Sequence, residues 1–173
     1  MRCWNFDSEL RDGAMAMNQD LKEFLRLLVS HEVEFMLVGS YAVAMHGFVR
    51  NTEDIDFWVR KTPENADRIM AVLDEFGFGD LGFQREDITG KEAVIQLGRP
   101  PHRIDLLNFL TALDFEDCWD RRLPVSLGGT EFAALGLADL LRNKKATGRP
   151  KDLADVAEFE NERRPDAAPR SKE

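Results

Sequence analysis

The sequence predicts an α/β fold in which a small mixed β-sheet is flanked by helices. Two observations favour this class. Short apolar runs bounded by glycine or proline are typical of buried strands, and segments with apolar residues at helical spacing alternate with them along the chain. Two further helical segments near the C-terminus are expected to close a cleft against the sheet.

The first part of the chain alternates between helix and strand. Asn18 is a suitable cap for a helix that continues to about His31, with apolar residues recurring every three or four positions. The apolar run 35–38 predicts a buried strand. An alanine-rich segment, 41–46, then predicts a short helix that ends at Gly47.

The next predicted strand, 54–60, carries carboxylates on one face. Because side chains alternate along a strand, three apolar residues share one face: Ile55, Phe57 and Val59. The residues between them share the other: Asp54, Asp56 and Trp58. Stacking of Trp58 on a base is an alternative to packing, and packing is favoured.

Turn and breaker residues delimit the remaining elements. Pro63 suits the first turn of a helix, and Gly77 ends it. The glycine-rich stretch 77–90 is predicted to be a loop. After it, the predicted elements are a hairpin of strands 92–97 and 102–107, strands 123–127 and 130–132, and helices 135–145 and 151–161.

These segments predict one main domain at 18–162, with its C-terminal helical segment at 134–162. Residues 1–17 are expected to form a flexible leader. The tail 163–173 contains two prolines and no apolar stripe, so we expect it to be disordered.

The composition excludes several classes of protein. The 23 basic and 32 acidic residues give a net charge of −9, which argues against coating nucleic acid through bulk charge. No stretch approaches the roughly 18 apolar residues of a membrane helix, so no membrane partner is expected. The two cysteines, Cys3 and Cys118, form neither a disulfide framework nor a zinc motif, which fits a reducing cytoplasm.

Three carboxylates are candidate metal ligands. Asp54 and Asp56 are two residues apart on one strand, about 6.6 Å along the chain, and project to the same face. That spacing suits ligands of a metal pair roughly 3.5–4 Å apart, and oxygen ligands suit magnesium. Asp105 lies on a later strand, whose apolar neighbours face the other way. The alternative, both for the pair on the first strand and for Asp105 alone, is that these carboxylates lie on the ordinary solvent-exposed face of a strand.

Two other features are suited to a polyphosphate. Gly39 and Ser40 follow a buried strand and begin a helix, where backbone N–H groups can bind an anion. A basic segment places five cations and no anion within ten residues: Arg142, Lys144, Lys145, Arg149 and Lys151. The alternatives are a plain strand-to-helix turn and a solvated helix end, since cations favour helix C-termini.

The motifs resemble a known family. Val38-Gly39-Ser40, Asp54-Ile55-Asp56 and a separate strand aspartate resemble the nucleotidyltransferase fold of the DNA polymerase beta superfamily. The longer runs are similar to bacterial nucleotidyltransferases of the abortive-infection, AbiEii-like toxin type, over about 20–160. They are Leu37 to Ala44, Asn143-Lys144-Lys145 and Gly148 to Leu153, together with Arg50, Thr52 and Asp155.

The resemblance implies a role for each matched residue. Asp54, Asp56 and Asp105 would bind two Mg²⁺ ions, with Mn²⁺ as a substitute, and Asp105 would help to deprotonate the attacking hydroxyl. Gly39 and Ser40 would hold the triphosphate. The other implied nucleotide-binding residues are Arg50, Thr52, Lys144, Arg149, Lys151 and Asp155, and Asp152 is a further candidate to support the site.

The resemblance also implies an activity: metal-dependent transfer of a nucleoside monophosphate from an NTP to a hydroxyl acceptor. The acceptor could be RNA such as tRNA, a protein or a small molecule, and a cognate toxin or antitoxin is an implied partner. The chain is short for a full-length toxin of this type. The alternatives are a nucleotide-binding regulator or antitoxin-type partner without turnover, and a structural member whose partner supplies the activity.

Overall fold

A computed structural model describes Trp4–Asn5, 19–48 and 52–162, with no side chains described at 4, 5 or 162. The α-helices are α1 Gln19–Ser30, α2 Gly39–Met45, α3 Pro63–Glu75, α4 Arg85–Thr89, α5 Phe115–Trp119, α6 Leu137–Thr147 and α7 Pro150–Glu162. The strands are β1 Trp4–Asn5, β2 Phe35–Val38, β3 Asp54–Val59, β4 Val94–Leu97, β5 Arg103–Leu107, β6 Leu123–Leu127 and β7 Thr130–Ala134.

The strands form one mixed sheet of seven strands in the order β1-β6-β7-β2-β3-β5-β4. At its centre β2 pairs antiparallel with β3, and β3 pairs parallel with β5. The predicted hairpin of β4 and β5 is confirmed. Helices pack on this sheet, and α2 contacts β2, β3 and α6, so the α/β prediction is confirmed.

The sheet is held by an apolar core and by a few buried polar side chains. Phe24, Phe35 and Phe57 pack ring against ring between α1, β2 and β3. Asn65 on α3 is buried, and its side chain accepts from the backbone N–H of Glu34 and donates to that residue's carbonyl. This amide therefore fixes α3 against the start of β2.

The prediction of a loop over 77–90 is wrong in part. A 3₁₀ turn occupies Gly79–Leu81, and α4 follows, capped by reciprocal hydrogen bonds between Gln84 and Asp87. Ile88 of α4 is 1 % exposed and anchors this short helix in the core. The five-residue helix α5 was also not predicted.

The predicted leader and tail lie largely outside the described residues. Of 1–17, only Trp4–Asn5 is described, and it pairs parallel with β6. The tail 163–173 lies entirely outside. Within the described ranges, no helix combines the length and the apolar character needed to cross a bilayer.

Candidate active site

The turn from β2 into α2 brings the backbone against a carboxylate. Gly39 has a φ of +65°, and a Cβ placed on it would lie 2.0 Å from Oδ2 of Asp56. Both facts demand glycine, because an L side chain there would be strained and would collide with Asp56. Ser40 is buried directly behind this turn.

The parallel pairing of β3 and β5 gathers the three predicted carboxylates. Asp54 lies opposite Arg103 in the register, and Asp56 lies opposite Asp105. All four side chains therefore stand on the same face of neighbouring strands. We call Asp54, Asp56 and Asp105 the carboxylate cluster. Asp105 is only 5 % exposed, so its charge is shielded from bulk solvent.

Arg103 ties two members of the carboxylate cluster together. Its Nη2 donates to Oδ2 of Asp54 at 2.7 Å and to Oδ2 of Asp105 at 2.9 Å, and its Nε donates to Oδ1 of Asp105 at 2.7 Å. The hydrogen bonds to Asp105 raise the pKa of Arg103 above its ordinary value. Sequence reasoning gave Arg103 no role in the site. The spacing Arg103-Ile104-Asp105 was the signal.

Burial and like charge act on Asp56. Burial, followed by the charges of Asp54 and Asp105, raises the pKa of Asp56 to about 6, although Arg103 and Arg149 oppose the rise. The carboxylate cluster carries more negative charge than its neighbours offset, which favours a cationic ligand.

Polar neighbours orient the carboxylates. The Thr52 hydroxyl donates to Oδ1 of Asp54 at 2.7 Å. The Gln96 amide on β4 donates to Oδ2 of Asp105 at 3.4 Å. Thr52, predicted to bind nucleotide, therefore lies beside Asp54 in this structure.

The basic segment separates into a buried lysine and exposed cations. Lys144 is 4 % exposed, and its Nζ lies 2.9 Å from carboxylate oxygens of both Asp152 and Asp155. Lys145 points away from it and pairs with Glu160 at the surface. These contacts join α6 to α7 beneath the cleft.

Arg149 and Lys151 lie at the start of α7 and are exposed. The Nε of Arg149 donates to Oδ2 of Asp152 at 2.6 Å. That carboxylate also accepts from Lys144 and Thr147. Burial raises the pKa of Asp152, and the hydrogen bonds from Lys144, Arg149 and Thr147 outweigh it, so the net shift is downward.

One cleft of about 420 Å³ joins these groups. Its polar lining comes from Gly39, Ser40, Asp54, Asp56, Gln96, Arg103, Asp105, Asn143, Lys144, Arg149, Lys151 and Asp152, and its apolar lining from Val38, Val94, Leu107, Leu110 and Leu140. The structure therefore brings most of the sequence-predicted residues to one place, with α6 and α7 closing one side.

Three predicted residues stand apart from that lining. Arg50 lies outside the described residues. Asp155 is buried beside Lys144, and Thr52 lines an adjoining recess with Asp54 and Lys151. Trp58 is buried and packs edge-to-face on Phe115, as the packing interpretation predicted.

The described residues contain no three Asp, Glu, His or Cys side chains arranged so that all could hold one metal ion. Within the carboxylate cluster, Arg103 occupies oxygens of both Asp54 and Asp105. The donor set is nevertheless the kind that Mg²⁺ prefers, namely carboxylate oxygens with unbalanced negative charge.

Residues 17–162 match the family described as "Nucleotidyltransferase of unknown function (DUF6036)". The chain belongs to this family. The match covers most of the chain, including every described member of the site, and it supports the nucleotidyltransferase prediction.

A solved structure supports the same fold. The crystal structure of a candidate nucleotidyltransferase from Thermotoga maritima aligns with a TM-score of 0.56 at 16% identity, covering 93% of this chain and 98% of that one. A search among curated proteins found no significant match. The nucleotidyltransferase fold is thus confirmed, whereas the AbiEii-like resemblance stays a prediction.

Proposed function

We propose that this nucleotidyltransferase-family chain moves a nucleoside monophosphate from an NTP to a hydroxyl acceptor in a metal-dependent reaction that releases pyrophosphate. The observation that carries the proposal is the carboxylate cluster itself. Three carboxylates from β3 and β5 meet in one cleft, directly against the glycine turn at Gly39, and Arg149 and Lys151 line the same cleft.

The site fits divalent metal ions on the chemistry of its donors. Asp54, Asp56 and Asp105 would hold two Mg²⁺ ions, or Mn²⁺ in their place. The three carboxylates stand on one face of β3 and β5, and carboxylate oxygens are the ligands that Mg²⁺ prefers. When bound, the metal ions would polarise the phosphoryl group and lower the pKa of the acceptor hydroxyl.

The chain's own residues would bind and orient the substrates. Gly39 and Ser40 line the cleft at the start of α2 and would hold the triphosphate. Arg149 and Lys151 are exposed at the cleft and would contact phosphate oxygens. Asp105 would accept the proton of the acceptor hydroxyl, and Thr52 would hold Asp54 in place.

Lys144 and Asp155 belong to the proposed nucleotide site with Asp152. Lys144 lines the cleft but is held by both carboxylates. In this proposal it supports the phosphate-binding end of α7 and adds positive charge there. Arg50 is proposed to bind nucleotide on the resemblance to AbiEii-like proteins alone.

The acceptor and the biological role are proposed on that same resemblance. The proposed acceptor is RNA, a protein or a small molecule, and a tRNA end agrees with the resemblance. A cognate toxin or antitoxin is the proposed partner. The alternative is a nucleotide-binding regulator without turnover. The hydrogen bonds from Arg103 favour that alternative, because they engage Asp54 and Asp105, the residues required for chemistry.

The test is a transfer assay. The protein is incubated with each labelled NTP, Mg²⁺ or Mn²⁺, and total cell RNA or lysate, and the labelled product is identified. Asp54→Asn is the inactive control. Label transfer by the unmodified protein but not by Asp54→Asn supports the proposal. Nucleotide binding without transfer over hours supports the regulator, and no nucleotide binding contradicts both.

A further inference from the structure

Arg103 occupies the oxygens that a metal ion would need. The described contacts account for all four carboxylate oxygens of Asp54 and Asp105: Oδ1 of Asp54 accepts from Thr52, and the other three accept from Arg103. Each oxygen keeps a second lone pair, but a metal ion that coordinates either carboxylate must approach an oxygen that already accepts a hydrogen bond. In most cases that bond comes from the guanidinium.

The guanidinium supplies less charge than the carboxylate cluster carries. Only one guanidinium, that of Arg103, stands with the three carboxylates on the same face of these two neighbouring strands. Asp56 and Asp105 lie directly opposite each other, an arrangement that is unfavourable for like charges. Arg103 therefore holds the cluster together in the absence of ligand but balances it incompletely, so a divalent ion remains the better partner.

We propose that Arg103 is a built-in counter-ion that a divalent metal displaces, and that the displaced guanidinium then binds the nucleotide phosphates, so that metal and NTP bind cooperatively. This inference rests on the proposed function. The same side chain serves both states, because a guanidinium makes paired hydrogen bonds to carboxylate and to phosphate alike.

The position of Arg103 suits this exchange. Its side chain is 26 % exposed and lines the same cleft as Arg149 and Lys151, the proposed phosphate ligands. A small rotation of the Arg103 side chain within the cleft would exchange its carboxylate oxygens for phosphate oxygens. Without nucleotide the released guanidinium has no anionic partner, so metal alone should bind weakly. By linkage, the metal must strengthen nucleotide binding by the same factor.

The test measures Mn²⁺ binding rather than turnover. Free Mn²⁺ is followed by electron paramagnetic resonance while the protein is titrated, with and without a non-hydrolysable ATP analogue. The Mn²⁺ that the analogue chelates without protein is measured separately and subtracted. The quantity of interest is the ratio of the two Mn²⁺ affinities. Arg103→Gln removes the counter-ion, and Arg85→Gln is the matched control, because Arg85 pairs with Asp67 at the surface.

For the unmodified protein and Arg85→Gln, we expect the nucleotide to tighten Mn²⁺ binding by about 5- to 150-fold. Arg103→Gln should bind Mn²⁺ alone more tightly than either, and the nucleotide should then tighten Mn²⁺ binding by a smaller factor than in those two proteins. Arg103→Lys keeps the charge but not the paired hydrogen bonds, so its ratio should fall between the two. Arg103→Lys replaces Arg103→Gln as the test variant if circular dichroism shows that Arg103→Gln does not fold.

Two results would overturn the inference while leaving the proposed function intact. One is weaker or unchanged Mn²⁺ binding in Arg103→Gln, which would mean that Arg103 only positions its neighbours. The other is an increase in Mn²⁺ affinity on Arg103→Gln that is equally large with and without nucleotide, as expected if the Arg103 guanidinium does not move. If Asp54→Asn binds Mn²⁺ as the unmodified protein does, the metal lies elsewhere and the proposed function fails as well.

Discussion

Replacing Asp56 with asparagine should stabilise the protein in the absence of metal and nucleotide. Burial and the charges of Asp54 and Asp105 raise the pKa of Asp56 from 3.8 to about 6. Such a rise means that folding penalises the ionised carboxylate by about 3 kcal/mol at pH values above 6. Asparagine has nearly the same shape and no charge to penalise.

The pH dependence identifies the cause. Because the folded state holds the proton more tightly than the unfolded state, the penalty is absent below pH 3.8, grows between pH 3.8 and about 6, and is complete above that. The gain in unfolding free energy from Asp56→Asn should therefore be about 3 kcal/mol near pH 8 and about half as large near pH 5.

Urea unfolding at the two pH values measures both numbers. Asp80→Asn is the control, because Asp80 is exposed on a surface turn and its loss should change the stability by less than about 0.5 kcal/mol. An Asp56→Asn protein less stable than the unmodified one near pH 8, or a gain that does not change with pH, would refute the electrostatic reasoning.

Three further predictions concern the surrounding residues. Lys144→Met should lower the unfolding free energy by about 3–5 kcal/mol, because it removes the buried ammonium that two buried carboxylates share. Lys145→Met, at an exposed pair, should cost less than about 1 kcal/mol, and equal losses in urea titrations would contradict this. Gly39→Ala should cost more than Gly129→Ala, although both have a positive φ, because only the first collides with a facing carboxylate; equal costs would mean that the turn tolerates a side chain. Mg²⁺ with NTP should raise the melting temperature of the unmodified protein but not of Asp54→Asn, as checked by calorimetry.

Much of the fold could be predicted because strong local patterns specify its central elements. Strand β3 begins with alternating acidic and apolar side chains, and β2 is an uninterrupted apolar run, so each was predicted within a residue of its bounds. The helices α4 and α5 were missed because five residues give no helical periodicity. Each depends on tertiary burial of one or two side chains, such as Ile88 and Phe115.

The site could be predicted in part for the same reason. Residue types and spacing identified the carboxylates, the glycine turn and the basic segment. Sequence could not reveal that Lys144 is enclosed by Asp152 and Asp155, since that depends on how α6 packs on α7. Nor could it reveal the contacts of Arg103, because the pairing of Asp54 with β5 joins residues 49 positions apart.

The parallel pairing of β3 with β5 also bears on how the site forms during folding. Asp54 and Asp56 are made well before Asp105, and the intervening chain includes α3, α4 and β4. Long-range parallel pairing is a slow step, because a large loop must close first. A one-residue slip in register would turn the acidic residues of β3 into the core and expose Ile55 and Phe57. Only the correctly registered chain can therefore acquire the cleft, so ligand binding would report completed folding.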